Sequence, residues 1–568
     1  MGGAELTEVE LVKQNSRHLR GTLRESLQDT STGAIAADDT HVSKFHGIYQ
    51  QDDRDIRSER KRQKLEPAYS FMIRARIPGG ILTTEQWLQL NRIASDYAND
   101  SIRLTTRQAI QFHGVIKTKL KTSVAAINQA MLDTIAACGD VNRNVMAPPL
   151  PPLSNIHRAV HEHASALSAH LTPATNAYHE IWLDGEKVMS SAGEVEPIYG
   201  DSYLPRKFKT AFVVPPRNDT DVFAQDLGYI AIVEDGLLVG YNVTVGGGMG
   251  MSHGEPATYP RLAEVLGFCT PQQVLAVAEA VVTVQRDYGD RTNRKHARLK
   301  YTLDDRGLDW FRSEVELRLG FALGAPGPFA FVGNGDVYGW QEDDQGRWHY
   351  TLFVQNGRVA DFGDIRLKSG LQGIAAVHQG QFRLTPNQNL IISGVAVNNK
   401  AQIEDLLASH GIENNVQATQ LRLNSMACVA FPTCALAMAE SERYLPSLID
   451  KLDALLNANG LSDDAITIRM TGCPNGCARP YIAEIGLVGK GPGTYNLYLG
   501  AGFAGDRLGC LYLDNATEAE ILAALAPLLS AYASGRQEGE KFGNYLVRNG
   551  VVRAITAGRF FHEAQIDA

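Results

Sequence analysis

Apolar and polar positions alternate with period two along "IRLTTRQAIQFHGV" (102–115) and again along "FRLTPNQNLIISGV" (382–395), which predicts a strand in each. Each follows a glycine-marked turn and a stretch of helical character, "GGILTTEQWLQLNRIA" in the first case and "SGLQGIAAVHQG" in the second. A second pair of look-alike segments lies further along, "GYNVTVGGGMG" (240–250) and "TYNLYLGAGFAG" (494–505). The chain is therefore internally duplicated, in the order A, B, A, B. The short A units, near 71–136 and 345–412, are expected to pair into one sheet. The longer B units, near 137–338 and 416–568, are expected as mixed α/β domains related by a pseudo-twofold axis, on which a large ligand could sit. The apolar stretch "ILAALAPLLSAYA" (521–533) reads as an amphipathic core helix.

Composition narrows the class. A chain of 568 residues, 44% hydrophobic, is long enough for several domains with real cores. No apolar run approaches the roughly 18 residues of a membrane helix. The opening "MGGAELTEVE" is acidic and lacks the pattern of a secretion signal, so a cytoplasmic location is expected. A net charge of −9 argues against nucleic acid as the main partner and leaves room for a locally basic pocket.

Cysteine is used sparingly and unevenly. Cys138, Cys269 and Cys510 stand alone and read as small core residues. Cys428 and Cys434 in "MACVAFPTCALA" and Cys473 and Cys477 in "TGCPNGCA" lie within one short stretch. Zinc sites favour pairs with two to four intervening residues, which the first pair does not match. Four thiolates suit an iron–sulfur cubane, and Gly472 and Gly476 would free backbone N–H groups to face the cluster sulfurs. On spacing alone, a cubane, a zinc ion and an unliganded core all stay open.

The first half carries cations where the second carries cysteines. "YLPRKFKTAFVV" (203–214) alternates as a strand, so Lys207 and Lys209 share a face, and "FMIRARIPGG" (71–80) does likewise with Arg74 and Arg76. "VNRNV" adds Arg143, and "RTNRKHARLKY" (291–301) adds Arg291, Arg294, Lys295, Arg298 and Lys300. The runs at 57–64 and 291–300 read equally well as solvated surface. The paired lysines lead into "AFVV", and cations buried there need an anionic partner.

"SMACVAFPTC" followed by "TGCPNGC", the repeated "RLT", "PRKFK" and "KFHGIYQQDDRD" (44–55) together resemble the siroheme-containing sulfite and nitrite reductases, on their assimilatory NADPH-dependent branch. The resemblance runs from about residue 40 to the end. It implies an α+β, pseudo-twofold duplicated fold with five parts: an N-terminal arm over 1–65, which is the candidate for partner binding; a ferredoxin-like repeat over 66–136; a siroheme-binding α/β domain over 137–338; a second ferredoxin-like repeat over 339–415; and a cluster-bearing α/β domain over 416–568. It implies a [4Fe-4S] cluster on Cys428, Cys434, Cys473 and Cys477, with Cys477 also the proximal ligand of the siroheme iron. It assigns siroheme contacts to Arg103, Arg107, Gln111, His113, Arg206, Arg298, Lys300 and Asn475. Sulfite binding and proton delivery fall to Arg74, Arg143, Lys207 and Lys209. Arginine keeps its charge and can orient an oxyanion, whereas a lysine in a cationic, partly dry pocket can release a proton.

Electrons must arrive from outside. "VGGGMG" and "VGKGPG" lack the spacing and context of a dinucleotide fingerprint. The resemblance implies a flavoprotein alpha subunit that binds NADPH, FAD and FMN, with a ferredoxin as the alternative donor. Nitrite is the alternative substrate, and a zinc-stabilised RNA-binding module is the distant alternative from another class. No membrane or nucleic-acid partner is expected.

Overall fold

The computed structural model describes residues 5–149, 154–174, 180–183, 186–190, 196–412 and 418–563. The expected boundary at 415/416 and the two chain ends lie outside the described residues.

Each alternating segment folds as a hairpin where a single strand was expected. Ile102–Leu104 pairs antiparallel with Ile110–Val115, and Gln381–Leu384 with Leu390–Val395. The shared "RLT" makes the reversal. Thr105 Oγ1 accepts from the N–H of Arg107 at 3.3 Å and of Ala109 at 3.1 Å, and Thr385 Oγ1 accepts from Asn387 at 3.2 Å and Asn389 at 3.0 Å. A hydroxyl that captures the N–H groups ahead of it closes a turn in place of a ladder.

The expectation of one shared sheet is corrected to two five-stranded sheets that exchange an edge. Ile81–Thr83 of the first repeat pairs with Gln381–Leu384 of the second, while Arg358–Val359 of the second pairs with Ile102–Leu104 of the first. The exchange covers an edge that each sheet would otherwise expose. It also fuses the repeats around one core, in which Trp87 stacks on Phe382 with ring centroids 4.9 Å apart. Trp87 sits on the helix Thr84–Tyr97, which starts at a Thr83/Gln86 capping box and buries Trp87, Leu90, Ile93 and Ala94 on one face.

The two α/β domains repeat one plan. Thr210–Val213 runs parallel to Leu227–Glu234, which continues antiparallel into Leu237–Val245 and Glu264–Cys269. Ile468–Thr471, Ile485–Gly491, Thr494–Leu499 and Cys510–Thr517 follow the same order, with Ser425–Ala427 added outside. The expected helix at 521–533 lies within Glu518–Gly535 and buries Ile521, Leu525, Leu529 and Tyr532. The strand expected over 203–214 begins only at Thr210; Tyr203 is left-handed at φ 53°, and Phe208 forms a parallel bridge to Asn142. Phe208 is buried and bonded to Val141 O, so Lys207 and Lys209 do share a face.

The N-terminal residues are part of this body. Val12, Leu19, Val42 and Phe45 join the core of the first α/β domain, and Ile48–Asp52 adds an outer strand to the first sheet. On the pseudo-twofold axis, Asp221 and Arg479 occupy matching places ahead of matching 3-10 turns, both in the left-handed region at φ 47° and 55°. Asp221 accepts from Arg479 Nε at 2.5 Å, and Arg479 also donates to Thr106 O and Pro386 O, both at 2.9 Å. One guanidinium thus touches both repeats and both α/β domains.

Candidate active site between the repeats and the cysteine loops

The four cysteines project from the ends of two parallel strands. Cys428 follows Ser425–Ala427, and Cys473 and Cys477 follow Ile468–Thr471. The Cys434 loop folds back so that Met438 and Ala439 both donate to Gly472 O, at 2.7 and 3.1 Å. Gly472 has no room for a side chain: a Cβ there would lie 2.6 Å from Ala439 O. Its N–H points to Cys428 Sγ at 3.3 Å, as an amide facing a thiolate does.

Burial and then the neighbouring Cys477 push the Cys428 thiol up, and the same two causes raise Cys434 to about 11. Four thiolates can therefore sit together here only if cations offset them. Among the described residues no three His, Cys, Asp or Glu side chains converge closely enough for a single metal ion. The four thiols line one cavity, and four thiolates gathered in one place suit an iron–sulfur cluster.

A cavity of about 250 Å³ joins these cysteines to the first repeat. It is lined by all four cysteines, by Asn475, and by Arg74, Arg103, Gln111, His113 and Lys207. Arg74 donates to Cys138 Sγ at 2.9 Å and to Ala137 O at 3.3 Å. With its oxygen toward Arg74, the Gln111 amide accepts from Nε at 3.1 Å and leaves its nitrogen against His113 Nε2. Burial, followed by nearby guanidinium groups, holds His113 well below the usual imidazole range. Arg103 pairs with Glu442 at 3.1 Å and donates to Ala427 O.

The remaining predicted residues do not line that cavity. Arg143 donates from Nε to Gly139 O, and its charge is felt at Lys207. Arg107 is bonded to Gln225, Asn144 O and Thr210 O. Arg206 and Lys209 flank Lys207. Arg298 forms a buried ion pair with Asp226, and Lys300 is enclosed by the carbonyls of Gly248, Gly250 and Tyr259. These last two hold the glycine-rich turn after Leu237–Val245.

Burial, then Arg206 and Arg298, lower Lys207 to about 7, and burial, then Lys207 and Arg107, hold Lys209 well below the usual lysine range. Among the described residues, no carboxylate lies within ion-pair distance of Arg74, Arg107, Arg143, Arg206, Lys207 or Lys209. So much uncompensated interior positive charge fits a polycarboxylate ligand.

Several residues escaped sequence reasoning. Tyr49 and Gln51 line the cavity two apart on one strand, a period-two signal inside the quoted "GIYQQDD". Cys138 is buried as expected, but it also accepts from Arg74. Arg54 donates to Cys434 O and Ala437 O, and Thr106 Oγ1 donates to Cys477 O at 3.0 Å. Nothing local marks these contacts.

Comparison with known proteins matches residues 62–130 and 341–410 to the nitrite/sulfite reductase ferredoxin-like half domain, and residues 162–323 to the nitrite and sulphite reductase 4Fe-4S domain. The sulfite reductase [NADPH] hemoprotein beta-component of Staphylococcus saprophyticus is 58% identical over 98% of both chains. That of Geobacillus kaustophilus is 57% identical, also over 98% of both. The chain belongs to the nitrite and sulphite reductase family. Among solved structures, the Mycobacterium tuberculosis NirA protein aligns with TM-score 0.76 and 25% identity, covering 96% of this chain and 97% of that one. The two ferredoxin-like matches coincide with the two hairpin repeats of this family member. The 4Fe-4S match covers the first α/β domain, while the cysteines lie in the second, its pseudo-twofold mate.

Proposed function

We propose that this chain carries out the six-electron reduction of sulfite to sulfide as the hemoprotein component of an assimilatory, NADPH-dependent sulfite reductase. The observation that carries the reading is a single cavity in which four clustered thiols face Arg74 and Lys207, with further unpaired cations close behind Lys207. Cys428, Cys434, Cys473 and Cys477 would hold a [4Fe-4S] cluster, and Cys477, the exposed thiol of the four, would also serve as the protein ligand of siroheme. Arg103, Arg107, Gln111, His113, Arg206 and Asn475 would hold the macrocycle, Arg107 and Arg206 by offsetting its carboxylates and the neutral Gln111, His113 and Asn475 by hydrogen bonds. Arg298 and Lys300 act one step back: Lys300 holds the carbonyls of Gly248 and Gly250, and Arg298 holds Asp226, whose own carbonyl accepts from Gly246 N–H. Together the two cofactors supply an electron store coupled to a site that binds sulfur.

The chain's own residues supply position and protons. Arg74, steadied by Cys138, Ala137 O and Gln111, and Arg143, steadied by Gly139 O, orient the oxyanion. Lys207 and Lys209 protonate the oxygens that leave as water, since burial among cations weakens their hold on a proton. All these cations stabilise the negative charge that builds up during reduction.

The relatives are named as the beta-component of an NADPH sulfite reductase, which supports a second component that passes on electrons from NADPH; we take it to be a flavoprotein with FAD and FMN. Its contact belongs to the exposed end of the 1–65 segment, beside the Cys434 loop that Arg54 grips and where Leu436 is exposed. We place the chain in the cytoplasm, where the redox poise keeps the four cluster thiols reduced; no described helix is long and apolar enough to cross a membrane. The test is steady-state reduction of sulfite and of nitrite by the purified chain with a small chemical reductant, alongside its absorption spectrum. Heme-type bands and a higher kcat/KM for sulfite are expected. A colourless, inactive protein, or a clear preference for nitrite, would overturn the reading.

A further inference from the structure

The duplication creates a second polar sheet face. The hairpins place Arg383 where the first repeat has Arg103, and Ser393 where it has His113. Arg103 is answered by Glu442. Arg383, only 7% exposed, is in ion-pair contact with no carboxylate among the described residues, although the charge of Asp343 reaches it from across the cleft. Its Nε has no hydrogen-bond partner, and Nη2 reaches Gln381 Oε1 only at 3.4 Å. Nη1 lies 3.4 Å from His161 Nε2, but that nitrogen is 2.7 Å from Pro148 O and carries the proton it donates there. It has no lone pair to offer Arg383.

A cleft of about 630 Å³ leads from solvent to this guanidinium, with exposed Arg347 also on its wall. The two carboxylates of the cleft are engaged elsewhere. Asp343 accepts from the N–H groups of Gln345 and Arg347 and from His349 Nε2, and Glu85 is bonded at the start of its own helix. A buried guanidinium needs an acceptor, and an oxyanion matches its planar fork.

We propose that this cleft is a second anion site, distinct from the cysteine-lined cavity, that takes a small oxyanion of the sulfate or phosphate class on Arg383. Crystals of the holoenzyme soaked in selenate locate the anion by its anomalous signal. A peak within hydrogen-bonding distance of Arg383 is expected, and Arg383→Met should remove it. In solution, sulfate should raise the melting temperature saturably over chloride at equal ionic strength. Arg383→Met should weaken that effect by about tenfold or more, and Arg383→Lys by less, because lysine keeps the charge and loses the fork. The proposal fails if selenate at saturation appears only in the cysteine-lined cavity. It fails equally if the peak survives in Arg383→Met, or if the sulfate effect is lost in Arg74→Ser and unchanged in Arg383→Met. Should Arg383→Met not fold, the wild-type peak and the Arg383→Lys comparison still decide.

Discussion

Cys477 is the exposed thiol of its set, and it opens into the cavity that also holds Lys207 and Arg74. Replacing it with serine is expected to perturb the heme-type bands and abolish turnover together, as read by absorption and iron analysis. Cys269→Ala and Cys510→Ala, in the two α/β cores, should leave both intact. Cys138→Ala should keep its metal too, but its bond to Arg74 makes it a poor control for sulfite affinity. The lysines and arginines should separate by their chemistry. Lys207→Met and Lys209→Met are expected to lower kcat and release partly reduced products, whereas Arg74→Ser and Arg143→Ser should chiefly raise KM for sulfite. Lys207, lowered to about 7 in the chain alone, loses its proton as pH rises through that value, so turnover should fall on the alkaline side. The carboxylates of a bound tetrapyrrole shift that limb upward, and Lys207→Met should remove it from the pH–rate profile. If the arginine variants stalled chemistry while the lysine variants only raised KM, the assignment of roles would be reversed.

At the scale of elements, the shared core of the repeats depends on the exchanged strand Ile81–Thr83 and the helix that follows it. Trp87, fully buried and stacked on Phe382, ties the first repeat's helix to the second repeat's sheet. Trp87→Ala is expected to destabilise the protein by about 3–5 kcal/mol. Chemical denaturation of the purified variant measures this, and a loss below about 1 kcal/mol would show that the core closes over the gap. The hairpins illustrate what local pattern can and cannot reveal. Alternation in "IRLTTRQAIQFHGV" marked strand character correctly, because inward and outward positions differ in either arrangement. It missed the turn because the strand-favouring Thr105 also closes a turn with its own hydroxyl, and that competing role carries no periodicity.

For the whole molecule, Asp221 is, among the described residues, the one carboxylate that faces both Arg469 and Arg479 at the axis, at 2.7 and 2.5 Å. Removing it strands two buried cations, so Asp221→Ala should cost about 3–5 kcal/mol and lower the melting temperature. Asp221→Asn, which keeps an acceptor oxygen, should cost less, and equal loss in the two variants would rule out the charge as the cause. The N-terminal segment is likewise bonded into the body. Lys13 donates to Leu204 O, Glu10 pairs with Arg291, and Val12 and Leu19 are buried. Deleting residues 1–40 should forfeit about 3–6 kcal/mol from those two apolar side chains alone. It should also loosen the stretch leading to Lys207, and so reduce turnover with the NADPH partner and with a chemical reductant alike. An arm that only recruits the partner would spare the second assay, which makes the pair of rates decisive.

The sequence by itself determined the duplication, the α+β class, the four clustered thiols and the supply of cations, because spacing, periodicity and residue chemistry are local properties of a chain. It also bore the motifs of the family to which the comparisons assign the chain. Tertiary structure alone decided which cations stay unpaired. Arg298 meets Asp226 and Lys300 meets three carbonyls, whereas Lys207 and Arg74 open into the cavity. It alone made two sheets from the repeats, set Cys138 against Arg74, and placed Arg479 where all four units meet. In each case the partners lie tens to hundreds of residues apart, and a buried polar group takes whichever partner the packing of the whole chain brings within reach.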